Sequence, residues 1–377
     1  MIAKFVPWPP NSGDKRRTLG IVRALAEHGE VTVCAFAGPD EDATPLEAEG
    51  IRVRQLPRRG NFLRHLLGFL QSGSITAGRF WDPRLAAVVR DAVGAEETVL
   101  IVEHVQLFPY AKRVKAAATV LDMHNIESSL TGRLARAQRG VRRIALHFEA
   151  RALRRLERTA VRAVNAVAVV SDVDELLLRN VVRHPHVLVV PNAWEKPEPL
   201  PHGRDPIVSF VALMSWAPNV DAATWFCAHV WPRVRRQVPD AQLWLVGRNP
   251  SAVLRALADE SVTVTGTVPD LAPYYERTRV AIAPLRAGGG SRLKILEALA
   301  AGRPVVATTV GAEGLEDLIG RGVTVADAPK DMADAIVLRL REPDIGAAEG
   351  NAGARAVAED HSWSAATRPL IGFLERK

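Results

Sequence analysis

Residues 279–306, RVAIAPLRAGGGSRLKILEALAAGRPVV, constrain the fold of this chain more than any other stretch. Val280 to Leu285 is an apolar run of strand length. Gly288, Gly289 and Gly290 break it, and Ser291 opens a helix with apolar positions at Leu293, Leu296, Leu299 and Ala300. Gly302 and Pro304 close that helix, and Val305–Val306 starts the next strand. A buried strand, a glycine turn, a helix and a second buried strand form one repeat of an α/β fold.

The same stretch carries chemistry. Glycines let backbone N–H groups come close to a ligand, and a helix N-terminus favours negative charge. Arg292 and Lys294 add two cations at that point, and Glu297 lies one turn beyond Lys294 on the same side. Cations with unpaired amides suit a diphosphate, and a carboxylate one turn on suits a vicinal diol such as ribose. The plainer alternative is a tight loop with a Lys294–Glu297 surface pair worth ~0.2–0.5 kcal/mol. Three glycines, two cations and a spaced glutamate together favour a nucleotide-diphosphate site.

Along the chain the same alternation appears twice. A short apolar start, the loop Pro7 to Asp14 with Gly13 and then Lys15, a helix over KRRTLGIVRALAEHG and the strand VTVCAF open the first half. There is no G-x-G-x-x-G, which argues against a dehydrogenase-type dinucleotide site. Strands over 98–104 and 117–124 end in Glu103–His104 and in Asp122, His124 and Asn125. Ligands of open α/β sheets bind outside the carboxyl ends of strands, so His124 in its polar cluster is the first-half candidate. Asn192 ends the strand over 186–192. Four prolines between 195 and 206 mark a linker, and the strand IVSFVALM restarts the alternation. The expected domains are 1–197 and 204–360, with the C-terminal helix 361–377 packing back on the first. In the second half Trp231–Pro232 should break a helix.

Two other motifs are ambiguous. Asp172-Val-Asp174 tempts a metal reading, but Ser171 is a natural N-cap and acids suit a first helical turn. Residues 57–70 mix arginines with Phe62, Leu63, Leu66, Leu67, Phe69 and Leu70, and the expectation is a core-facing helix with an arginine rim rather than a membrane-lying one.

Charge and cysteine content exclude several classes. The net charge is +7, and residues 131–162 carry ten arginines against Glu149 and Glu157. This segment could face anionic lipid or remain a solvated surface. It lacks the interleaved aromatics of a single-strand nucleic-acid platform, so no nucleic-acid partner is expected. Two cysteines exclude a disulfide framework or cysteine zinc site and point to a reducing, cytoplasmic setting. The start MIAKFVPWPP has its apolar run broken by prolines, unlike a signal peptide. Rich Ala and Arg usage suggests a bacterial source.

Taken together, MSWAPNVDAATWF, LWLVG, TGTVPDLAPYY, APLRAGGGSRLKILEALAAGRPVVAT and GAEGL, spanning 214–315, resemble the GT-B-fold glycosyltransferases of the family 4 type. That resemblance implies two Rossmann-like doubly wound domains facing a cleft. It implies a retaining, metal-independent transferase of the hexosyltransferase type, with a nucleoside-diphosphate sugar as co-substrate and no other cofactor. The acceptor would be a sugar, a lipid-linked sugar or a natural product, met in the cytoplasm or at the inner membrane face through 131–162. Glu297 matches the glutamate that binds ribose, while the family's earlier glutamate falls on Gly289. Gly289, Gly290, Ser291, Arg292, Lys294, Glu297 and Val268 are then donor-binding positions, with Arg292 and Lys294 neutralising the departing diphosphate. His124 matches the histidine that contacts the transferred sugar, and Asn192 the asparagine of an inter-domain N-G motif. Gly13, Lys15, His124, Asn125 and Asn192 would line the acceptor side. The family's Arg and Lys after the first C-terminal strand are absent, since that place reads Ser215-Trp-Ala-Pro-Asn219. A nucleotide-sugar epimerase or a non-catalytic relative on the same fold is the alternative.

Overall fold

The structure, a computed structural model, describes residues 1–58, 62–94, 97–136, 138–195, 197–203, 205–287 and 293–376. The chain divides into two compact units. One comprises Met1–Pro191 with Ala366–Lys377, the other Asn192–Ala365.

The first unit is built on a seven-stranded parallel sheet. Its strands are β1 (Ile2–Ala3), β2 (Thr32–Ala37), β3 (Arg52–Pro57), β4 (Val99–Glu103), β5 (Ala118–Met123), β6 (Ala166–Val169) and β7 (Val187–Val189). Their order is β3-β2-β1-β4-β5-β6-β7, with the reversal of direction at β1. The second unit carries β8 (Ile207–Val211), β9 (Gln242–Val246), β10 (Val262–Gly266), β11 (Thr278–Ala283), β12 (Val305–Ala307) and β13 (Val323–Val325), ordered β10-β9-β8-β11-β12-β13. The central strands of both sheets are largely apolar and buried, because helices cover both faces of a parallel sheet. The α/β, twice doubly wound expectation is met.

Local expectations fare differently from place to place. The helix 217–229 stops at His229 and a new one runs Trp231–Gln237, so Trp231–Pro232 does break the helix. Ser171 caps the helix Asp172–Arg179 by accepting from the Asp174 N–H at 3.1 Å, and its hydroxyl donates to Asp174 Oδ2 at 2.6 Å. The Asp-x-Asp pair is thus a cap. The helix Gly140–Ala163 ends two residues before β6 starts at Ala166. Ala26 ends the first helix, Gly13–Ala26, and is exposed.

The expected core-facing helix over 57–70 is overturned. The helix Phe62–Ser72 meets the body through Gly68, where an added Cβ would lie 2.3 Å from the Gly78 carbonyl oxygen. Only a bare backbone permits that approach. At about 100° per residue, Leu66, Leu67 and Leu70 lie far round the helix from Gly68. They are 45%, 47% and 71% exposed. The sequence period is that of an amphipathic helix, but its apolar stripe faces solvent.

The basic segment forms two helices, Glu127–Arg136 and Gly140–Ala163, packed on each other. Between them Ser128 donates its N–H and hydroxyl to Glu157, at 2.9 and 2.5 Å. Burial pushes the Glu157 carboxyl up to about 7, against the pull of these hydrogen bonds, from an ordinary value of 4.5. Between those two values the folded chain holds a proton that the unfolded chain has released. Stability therefore falls as pH rises through that window, by on the order of 3 kcal/mol. Glu157→Gln stays neutral, so the difference in urea midpoint between pH ~5 and ~8 should shrink in the variant. An unchanged difference would refute the assignment.

Candidate functional site

In the first unit, register does what sequence order cannot. β4 and β5 pair in parallel with Glu103 beside Asp122, so two carboxylates from distant segments lie at adjacent strand ends. Asp122 is 2% exposed and is gripped by Arg17 of the first helix, through Nε at 3.1 Å and Nη2 at 2.6 Å. The third arm of Arg17 donates to the Val190 carbonyl at 2.8 Å. Burial alone would raise Asp122, but the Arg17 charge and the His124 hydrogen bond hold it well below the usual carboxylate range. Glu103 accepts from the Thr18 hydroxyl and from the Lys4 N–H at 3.1 Å. Burial raises its carboxyl, and His124 and Thr18 pull it back.

His124 sits on this pair. Its Nε2 lies 3.2 Å from Asp122 Oδ2 and 3.3 Å from Glu103 Oε1. With carboxylates on Nε2, that nitrogen carries a proton and donates. The His104 ring lies 3.9 Å from the His124 ring, centroid to centroid, and is buried. Neither ring nitrogen of His104 has a hydrogen-bond partner, and burial followed by His124 depresses its basicity well below the ordinary value. Its backbone has φ 62°, a conformation unusual for a non-glycine residue and frequent at functional sites. Glu103, His104 and His124 offer donor atoms within 4.8 Å of one another and could hold a divalent ion.

The remaining candidates of the acceptor set stand at separate places in the chain. Gly13 is the first residue of the Gly13–Ala26 helix. Lys15 is buried and pairs with Glu41 at 2.9 Å. Asn125 is half-buried just past His124. Asn192 is buried and begins the second unit. Arg17 and Thr18 are the site residues that sequence reasoning did not select; Glu103 and His104 were placed at a strand end, with His124 preferred over them. One signal for Arg17 was present. It lies four residues before Ile21 and eight before Leu25, so it continues an apolar stripe with a charge.

In the second unit, Gly289, Gly290, Ser291 and Arg292 lie outside the described residues. Lys294 belongs to the helix Leu293–Ala300 that follows β11. Its Nζ donates to Asn219 Oδ1 at 2.7 Å and sits 4.8 Å from the centre of the Phe210 ring. Asn219 is in the first turn of the helix Ala217–His229 and donates to the Leu213 carbonyl at 2.9 Å. Lys294 therefore reaches the very Ser215–Asn219 stretch where the resemblance lacked its cations. Glu297 is half-buried one turn on, and Val268 is half-buried after β10. Gly311 lets the GAEGL segment lie on the end of β11, since a Cβ there would come 2.0 Å from the Ala283 carbonyl oxygen. Thr308 caps that turn through its hydroxyl, accepting from the Gly311 N–H at 2.9 Å.

Comparison with known proteins agrees with this layout. Residues 205–342 match the family described as glycosyl transferases group 1. No curated protein matches the chain. Among solved structures, sucrose-phosphate synthase from Thermosynechococcus elongatus is 19% identical with a TM-score of 0.72, covering 100% of this chain and 98% of that one. HepE of Anabaena, in complex with UDP and glucose, is 14% identical with a TM-score of 0.69 over 100% and 98%. TarM of S. aureus, in a complex that includes UDP, is 14% identical with a TM-score of 0.61; 77% of this chain is covered but only 58% of TarM. The chain has the fold of these GT-B structures, and its residues 205–342 match a glycosyl transferases group 1 domain.

Proposed function

We propose that the chain moves a sugar from a nucleoside-diphosphate sugar to a hydroxyl acceptor, a sugar or a lipid-linked or natural-product molecule, with retention and without a metal at the diphosphate. One observation carries this reading. Lys294 is brought beside the N-terminal turn of the helix 217–229 from 75 residues away in sequence. A cation and the positive end of a helix dipole repel one another unless an anion joins them, and a diphosphate is such an anion. Together with Arg292 and the amides of Gly289, Gly290 and Ser291, Lys294 stabilises the charge that develops on the leaving diphosphate. Glu297 takes the ribose diol.

On the first unit, the fixed Nε2–H of His124 turns Nδ1 toward a sugar hydroxyl, and Asp122 and Glu103 hold the ring in place. Gly13, Lys15, Asn125 and Asn192 belong to the acceptor side. The bound UDP of HepE makes UDP the first nucleotide to try.

Thermal melts with UDP, GDP, dTDP and ADP test the donor half. The matching base at ~100 times its Kd should add ~2.7 kcal/mol, and Glu297→Ala should remove the ribose share of that gain for every base. No stabilisation by any of the four overturns the reading. Activity that disappears with EDTA and returns with Mg²⁺ overturns the metal-free part.

A further inference from the structure

The surface around the helix Gly140–Ala163 combines three features that the transfer chemistry does not use. Its first turns expose Val141, Ile144 and Phe148, at 82%, 56% and 65%. These positions fall on one stripe, at i, i+3 and i+7. Next to the stripe on the helical wheel, ~100° from Phe148, is Glu149. That carboxylate accepts from the Ser74 hydroxyl at 2.6 Å, from the Ile75 and Thr76 N–H groups at 3.0 Å, and from the Thr76 hydroxyl at 2.6 Å. These donors hold it below its usual range despite burial, so it stays charged and ties the 62–78 segment to this helix. Exposed Ile75 therefore flanks the stripe on one side, just past the 62–72 helix with its outward leucines.

On the other side of the stripe lies a cavity of about 320 Å³ lined by Arg133, Arg136, His147, Arg151 and Arg154. On the wheel His147, Arg151 and Arg154 fall ~60–120° from Phe148, opposite in sense to Glu149. Among the described residues no carboxylate lines this cavity. Arg133 Nε is buried there without a hydrogen-bond partner. Four guanidinium groups around one cavity repel each other and leave donors unused, which an anion with several oxygens relieves.

We propose that this face of the first unit docks on an anionic phospholipid bilayer, the exposed leucines, Val141, Ile144 and Phe148 entering the headgroup–acyl boundary and the arginine cavity holding a headgroup phosphate. The charge pattern selects this occupant. Both acids of the 140–163 helix, Glu149 and Glu157, are buried and already bonded, so its solvent side presents arginines and apolar groups and no carboxylate. A second copy of the chain would oppose arginines to arginines across a two-fold axis. A nucleic acid would gain nothing from the leucines. No helix among the described residues is long and apolar enough to cross a membrane, so the contact lies in the interface plane.

The full chain is sedimented with vesicles of phosphatidylcholine alone or mixed with phosphatidylglycerol, without sugar nucleotide, so the outcome is separate from any failure of transfer. Binding to the anionic vesicles only, weakening as salt is raised, is expected. Arg151→Ala with Arg154→Ala should weaken it about thirtyfold, at about 1 kcal/mol per arginine. Leu67→Glu with Leu70→Glu should weaken it by at least tenfold. These residues are exposed, so circular dichroism and melting of the variants should match the parent. Equal binding to neutral vesicles, no binding to anionic ones, or unaffected variants overturns the proposal. So does stabilisation by free glycerol phosphate with no vesicle binding, which would make the cavity a site for a soluble phosphate ester.

Discussion

Lys294→Ala is expected to lower kcat/KM about 100–1000-fold while the fold persists. The size follows from losing one preorganised charge at a developing oxyanion, on the order of 3–4 kcal/mol. The side chain is held for that purpose by Asn219 at 2.7 Å and by the Phe210 ring. Those contacts are worth about 1 kcal/mol each, so a small fall in melting temperature accompanies the kinetic loss. Steady-state kinetics with the stabilising nucleotide's sugar conjugate, alongside melting curves, separates the two effects. Asn219→Ala should give a smaller loss, because it frees the lysine without removing the charge. A Lys294→Ala variant with unchanged kcat/KM would remove the anion assignment of this helix end.

Arg17→Met carries the largest expected cost in stability. It leaves Asp122 buried without its counter-charge, and removing one partner of a buried pair costs about 3–5 kcal/mol. The pH dependence gives a second signature. In the parent, Asp122 titrates well below its ordinary value of 3.8, so its contribution is present above that value and is lost as pH falls through the folded-state value. In the variant burial dominates, and the buried carboxyl takes up a proton as pH falls. The deficit should therefore be greatest near neutrality and shrink toward acid. Adding Asp122→Asn should recover part of it. Urea denaturation across pH tests both points, and a loss under ~1 kcal/mol at neutral pH would show that Asp122 is not isolated by burial.

The two βα halves, the strand ends at Glu103, Asp122 and His124, and the cap at Ser171 were all readable from the chain. Each is a local matter. Apolar runs of strand length, helical period and capping chemistry act within a few residues, and the residues concerned are neighbours in sequence. The strand-end rule placed His124 correctly at a carboxyl end, but it could not show what His124 would touch. Nothing local to Arg17 or to Glu103 shows that the one meets Asp122 and the other lies beside it.

The apolar helix 62–72 shows the limit most plainly. Its period is sound and its face was misjudged. An amphipathic pattern fixes that one side is apolar, not which way that side points. Here the close contact of Gly68 with Gly78 decides the orientation and turns Leu66, Leu67 and Leu70 outward.

By itself, then, the sequence determined the alternation of strands and helices, the two α/β halves and the kinds of residue available for phosphate and sugar chemistry. Those follow from periodicity and composition, which are properties of short stretches. Only the tertiary structure decided that Glu103 stands beside Asp122, that Arg17 closes on Asp122, and that Lys294 meets Asn219. Register between parallel strands and the packing of helices on a sheet set those distances, and both join residues that lie 19 to 105 positions apart in the chain.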